Sequence, residues 1–163
     1  MPITFNANEI FEMAEEIERN GAKFYRQAAQ NTSDKQTKQM LLDMADMEDG
    51  HLATFQEMRE QLSGQEKSWT VFDPDNQSVL YLQAMADTRG YEGKITPTKE
   101  LTGSETPKEI LETALNSEKE SVVFYFGLRS LVPVKAGKDK VEAIINEELG
   151  HITILLKQLR ALN

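Results

Sequence analysis

Glu48-Asp49-Gly50-His51 recurs as Glu148-Leu149-Gly150-His151, one hundred positions further along the chain. On a helix, residues three apart share a face, so each stretch offers a carboxylate and an imidazole side by side. The offset extends beyond this pair: Glu18 recurs as Glu118, and Phe24-Tyr25 as Phe124-Tyr125. Six potential metal ligands therefore fall into two matched sets of three: Glu18, Glu48, His51 and Glu118, Glu148, His151. The chain reads as a duplicated helical hairpin built to hold two metal ions.

Apolar residues at alternating steps of three and four mark the helices. The first is predicted from about Asn8 to Gln30, opened by an Asn6/Glu9 capping box, with a seam of Phe11, Ala14, Glu18, Gly21, Tyr25 and Ala28. The second is predicted to start near Ser33 with a Ser33/Gln36 box and to stop at Gly64. Its seam is Leu41, Met44, Glu48, His51, Phe55, Met58 and Leu62. A third begins at Thr106-Pro107, with Glu109 completing a box, and ends near Val132-Pro133. Its seam is Leu111, Ala114, Glu118, Ser121, Tyr125 and Leu128. The fourth starts near Asp139 and carries Val141, Ile144, Glu148, His151, Leu155, Gln158 and Leu162.

The prediction is an all-α antiparallel four-helix bundle in one domain, 1–163: hairpin one at about 8–63, a crossover at about 64–105 and hairpin two at about 106–161. Pro74, Gly90, Gly93, Pro97 and Gly103 punctuate the crossover, which has room for a short helix at about 77–88. A connection this long lets the second hairpin run beside the first.

A lone glutamate on a helix is ordinarily a solvated surface group, and the chain has 27 acidic residues to place. The six residues together are another matter. Both histidines of the chain lie in Glu-x-x-His, and both pairs interrupt apolar seams that carry no Lys or Arg. Four ionised carboxylates brought into one apolar centre would each cost several kcal/mol unpaired. Two divalent cations balance their four charges. Duplication explains why the residues recur, but not why charge sits on the seam in either copy.

Tyr25 and Tyr125 lie two turns beyond Glu18 and Glu118. Two readings stay open for them: core aromatics with satisfied hydroxyls, or donors to a ligand carboxylate. Gly50 and Gly150 cost about 1 kcal/mol each against Ala inside a helix, and close helix approach is the expected reason.

Carboxylates and imidazoles without thiolate suit iron or manganese with open positions, and zinc can occupy such a site in purified protein. The absence of cysteine rules out thiolate zinc sites and cysteine-ligated clusters. A net charge of −9 argues against nucleic acid as a partner. No apolar run is long enough to span a membrane, and Met1-Pro2-Ile3-Thr4-Phe5 opens no signal sequence, so the expected location is the cytoplasm.

Ala14-x-x-x-Glu18 with Phe24-Tyr25, Glu48-x-x-His51, and their copies at Ala114, Glu118, Phe124-Tyr125 and Glu148-x-x-His151 resemble the rubrerythrin group of the ferritin-like superfamily. The resemblance covers the four long helices. It implies a ferritin-like bundle with two iron ions bridged by carboxylates, reducing hydrogen peroxide to water with electrons from a small redox protein. Glu48 and Glu148 would bridge the metals, Glu18 and Glu118 would be terminal ligands, and one histidine would serve each iron. Two departures stand out. Without cysteine there is no rubredoxin domain, so a rubredoxin-like donor must act in trans. Ser121 stands where rubrerythrins proper carry an additional Glu, which bears on the choice between peroxide and dioxygen. The rival readings are a ferroxidase that handles iron, a non-catalytic metal-binding bundle and a di-manganese, catalase-like site. Each hairpin supplies three of the six ligands, so the hairpins meet within one chain or are exchanged between two, and a homodimer is expected on either route.

Overall fold

The structure is a computed structural model that describes residues 7–62, 101–132, 134 and 138–162. Four helices stand among these residues: α1 (Ala7–Asn31), α2 (Lys35–Glu60), α3 (Pro107–Leu131) and α4 (Lys138–Ala161). α1 packs closely on α2, and α3 on α4; the two hairpins then meet through α1 against α3 and α2 against α4. No strand is present among the described residues.

The caps explain where the helices begin. Thr106 and Glu109 form the full reciprocal box expected at the start of α3, with Pro107 in the first turn. At α2 the expectation needs correcting. The cap is Asp34, not Ser33, and its carboxylate accepts from the Thr37 backbone N–H at 2.7 Å. Asp and Ser compete well for this role, and Asp34 is the one placed to reach the third amide of the helix. α2 ends at Gln61. The Asn6 box, Gly64 and most of the crossover, including the helix expected at 77–88, lie outside the described residues.

Two apolar clusters fill the bundle, one toward each end. The first unites Phe11, Ala14, Phe55, Met58, Leu62, Tyr125, Leu128, Val141 and Ile144. The second unites Tyr25, Ala28, Leu41, Met44, Leu111, Ala114 and Leu155. Leu62 thus ends α2 in one cluster, while Leu111 begins α3 in the other. Opposite ends of the bundle are what a long connection between the hairpins serves.

The seams of α1, α2 and α3 point inward as expected, with Gly21 half-buried among buried neighbours. The α4 seam holds through Leu155 and then fails: Gln158 is half-buried and Leu162 is 51% exposed, while Leu159 packs on the second cluster in their stead. Ile145, absent from the predicted seam, is buried beside Ile144. No helix among the described residues is long and apolar enough to cross a membrane.

Candidate metal centre

Between the two apolar clusters lie Glu18, Glu48, His51, Glu118, Glu148 and His151, all at most 4% exposed. One chain supplies all six, so the cluster needs no exchange of hairpins to assemble. Their donor atoms form two overlapping groups, Glu18, Glu48, His51, Glu148 and Glu48, Glu118, Glu148, His151, each within 4.8 Å. Glu48 and Glu148 belong to both groups. Glu18 and Glu118 each belong to one.

The imidazoles face the carboxylates through Nδ1. His51 Nδ1 lies 2.9 Å from Glu148 Oε1, 3.3 Å from Glu18 Oε2 and 3.5 Å from Glu48 Oε2. His151 Nδ1 lies 3.1 Å from Glu148 Oε2, 3.3 Å from Glu118 Oε1 and 3.4 Å from Glu48 Oε1. Glu18 Oε2, His51 Nδ1 and both oxygens of Glu148 are buried without a hydrogen-bond partner. Orphaned buried polar atoms are rare because each costs its desolvation. Four of them gathered in one cluster fit the binding of cations that would satisfy them.

The tyrosines bind across the hairpins. The Tyr25 hydroxyl donates to Glu118 Oε1, and the Tyr125 hydroxyl donates to Glu18 Oε1. Both rings are buried in the core as well, so each of the two readings of these residues describes part of what they do. Burial, together with the neighbouring carboxylates, holds both phenols well above their ordinary pKa, which keeps them donors.

Burial, reinforced by Glu48, pushes the Glu18 carboxyl up strongly. Burial and Glu148 push Glu118 up to about 8. Glu48 and Glu148 go the other way: burial works against their ionisation, but the close approach of one neighbouring carboxyl and of both imidazoles outweighs it and lowers them. At the histidines burial opposes charge, and the surrounding carboxylates overcome it; His51 is raised far above its ordinary value and His151 to about 12.

Gly50 and Gly150 correct an expectation. Among the described residues an added Cβ at either would meet nothing within 4 Å, so none of the four helices approaches them closely. The close approach is at Gly21, where a Cβ would sit 3.4 Å from Glu48 Cδ and Cγ. Gly21 faces the Glu48 side chain, and an added Cβ would rest against it in near-ordinary contact. Ser121, at the matching position of α3, is buried and donates to the Ser117 carbonyl at 3.1 Å.

Two contacts were not anticipated. His51 Nε2 lies 2.7 Å from Glu147 Oε2, and His151 Nε2 lies 3.3 Å from Met47 Sδ. The differing residues at positions 47 and 147, each just before a Glu-x-x-His glutamate, were the available signal. Glu15, 6% exposed, also escaped the sequence reading; Arg59 reaches both its oxygens at 3.2 Å.

A four-helix bundle with a glutamate from each of two helices and Glu-x-x-His from each of the others defines the ferritin-like di-iron carboxylate class. Residues 9–96 match the rubrerythrin family model, and the chain belongs to that family. Its fold is similar to that of a protein from Thermotoga maritima described as a ferritin-like diiron-carboxylate protein, with a TM-score of 0.71 and 24% identity over 98% of each chain. No curated protein matches the sequence.

Proposed function

We propose that this chain, acting as one ferritin-like unit, holds two iron ions and reduces hydrogen peroxide to water, with electrons delivered in trans by a rubredoxin-like donor. Glu48 and Glu148 are the shared ligands, Glu18 and Glu118 the terminal ones, and His51 and His151 each serve one ion through Nδ1. The observation that carries this reading is the sharing of Glu48 and Glu148 by two buried donor groups, in a chain of the rubrerythrin family. Membership of that family favours iron over manganese or zinc.

When bound by these six residues, iron would supply the reducing equivalents for cleavage of the peroxide O–O bond. The chain's own residues set the conditions. Tyr25 and Tyr125 fix the terminal carboxylates, and the apolar clusters on either side keep bulk water away from them. His51 also borders an open cleft between α2 and α4, lined by Gly50, Thr54, Ala143 and Glu147, which gives a small molecule a way in.

Anaerobic loading with ferrous iron, followed by stopped-flow mixing with peroxide and separately with dioxygen, tests the proposal. Peroxide is expected to oxidise the centre much faster. Faster oxidation by dioxygen, with continued turnover of added iron, would favour a ferroxidase instead. The expected homodimer is part of the proposal, and sedimentation of the loaded protein measures it.

A further inference from the structure

We propose that Glu147 is a positioning residue for His51 that makes the two halves of the metal centre unequal. The inference rests on reading the cluster as a two-cation site.

An imidazole has two nitrogens, and in a metal site the hydrogen bond made by one decides what the other offers. His51 turns Nδ1 toward Glu18, Glu48 and Glu148, while its Nε2 stands 2.7 Å from Glu147 Oε2. A carboxylate only accepts, so the proton of that contact belongs to Nε2. The lone pair of Nδ1 is then free for a cation. A carboxylate on the far nitrogen also fixes the ring and makes it a stronger donor.

His151 has the same arrangement on its inner side. On its outer side Nε2 meets Met47 Sδ at 3.3 Å. A thioether is a weak, uncharged acceptor and does little to polarise the ring. Residues 47 and 147 hold equivalent places, each one position before a shared glutamate and each reaching across between α2 and α4. The backbone arrangement is common to both halves; the chemistry at the outer nitrogen is not.

The neighbourhood differs in the same sense. Glu147 is 50% exposed beside the open cleft at His51. Water competes for such a carboxylate, so its effect belongs at the lower end of the usual range. Loss of an outer partner of a ligating histidine typically costs about 10–100-fold in metal affinity, and about tenfold is expected here.

A bare negative charge would act differently. The two imidazole rings are 6.0 Å apart, so the field of Glu147 reaches both metal positions. A hydrogen bond acts through His51 alone, and single-histidine variants separate the two cases. His151→Ala leaves the His51 position, and His51→Ala leaves the His151 position. Cobalt(II), titrated against a competing chelator, reports the affinity of each. Adding Glu147→Leu should weaken binding about tenfold in the His151→Ala protein and by less than about twofold in the His51→Ala protein. Glu147→Gln, which keeps an acceptor oxygen, should recover part of the loss. Met47→Glu should tighten binding in the His51→Ala protein. Equal losses in both backgrounds, or none in either, would overturn the inference.

Proton NMR of the otherwise unaltered protein loaded with two cobalt(II) ions gives a check that needs no histidine variant. One hyperfine-shifted imidazole N–H should exchange slowly with solvent, and Glu147→Leu should abolish it. Two N–H signals that exchange alike would also overturn the inference. Uptake of fewer than two cobalt ions by the wild-type chain would instead remove the two-cation reading beneath it.

Discussion

Glu15 and Leu115 hold matching places in the two hairpins, yet one is ion-paired and the other is packed in oil. Arg59 reaches the buried Glu15 from α2, and the residue matching Arg59 is Leu159, which packs on the same cluster as Leu115. The pattern repeats on the outside. Arg26 pairs with Asp49, whereas Phe126 and Leu149 stand in their places, each 43% exposed. Around the centre the hairpins agree in all six candidate ligands and both tyrosines. Where they face other neighbours they have gone separate ways. The residues that reach the cluster are held in common; elsewhere a charge pair in one hairpin stands where the other hairpin has apolar residues.

The largest test of the agreement is at the shared carboxylates. Glu48→Ala and Glu148→Ala are each expected to abolish dinuclear binding, since each removes a ligand from both groups, whereas Glu18→Ala should spare one position. Elemental analysis of iron-reconstituted protein should approach two ions per wild-type chain and fall below one in either shared-ligand variant. A Glu148→Ala protein that still binds two ions would break the equivalence.

Removing metal should expose the proton balance of the centre. Glu118 is held at about 8 against an ordinary value of 4.5, and His151 at about 12 against 6.5. The folded, metal-free protein thus keeps protons that the unfolded chain has released. Its stability should fall as pH rises through the window from 4.5 to about 8 for Glu118, and above 6.5 for His151. Glu48 and Glu148, lowered from 4.5, would cost stability only at more acidic pH. Melting temperatures of chelated protein should therefore decline between about pH 5 and 8. Metal at a thousandfold excess over its dissociation constant should add about 4 kcal/mol and reverse the trend, because cations replace the protons. Chelated protein that grows more stable over that pH range would show the carboxylates to be less crowded than they stand here.

A smaller effect sharpens the contrast between ion pair and leucine pair. Arg59→Ala strands Glu15 and should cost about 2 kcal/mol; the cost stays below the ~3–5 kcal/mol of a fully buried pair because Arg59 is partly in water. Copying the second hairpin into the first, with Glu15→Leu and Arg59→Leu together, should leave stability unchanged or raise it. Denaturant melts of both variants measure the difference. The smallest effect is at Gly50 and Gly150, where Ala has room and should add up to about 1 kcal/mol each, with metal content unaltered.

Much of this was legible in the sequence because the information is periodic. Apolar residues in steps of three and four define which face of each helix turns inward, and a carboxylate on that face announces its own difficulty. Glu18, Glu48 and their copies were readable for that reason. What periodicity leaves out is the identity of the neighbour across a gap. Glu147 lies off the α4 seam and reads as a surface residue, yet the way α2 meets α4 sets it against His51. Glu15 reads the same way until Arg59 arrives from the adjacent helix. The glycines erred in the opposite sense: Gly50 and Gly150 drew notice by their position beside the histidines, while Gly21, unremarkable within its seam, is the one that faces a buried carboxylate of the cluster.

Tyr25 belongs to the first hairpin and holds Glu118 of the second; Tyr125 belongs to the second and holds Glu18 of the first. Each hairpin thus keeps a grip on a carboxylate it does not own. Parting the hairpins would loosen both of these carboxylates at once. Any cation held there would lose two carboxylate contacts in the same motion, so the pairing of the hairpins and the shape of the cluster are set together.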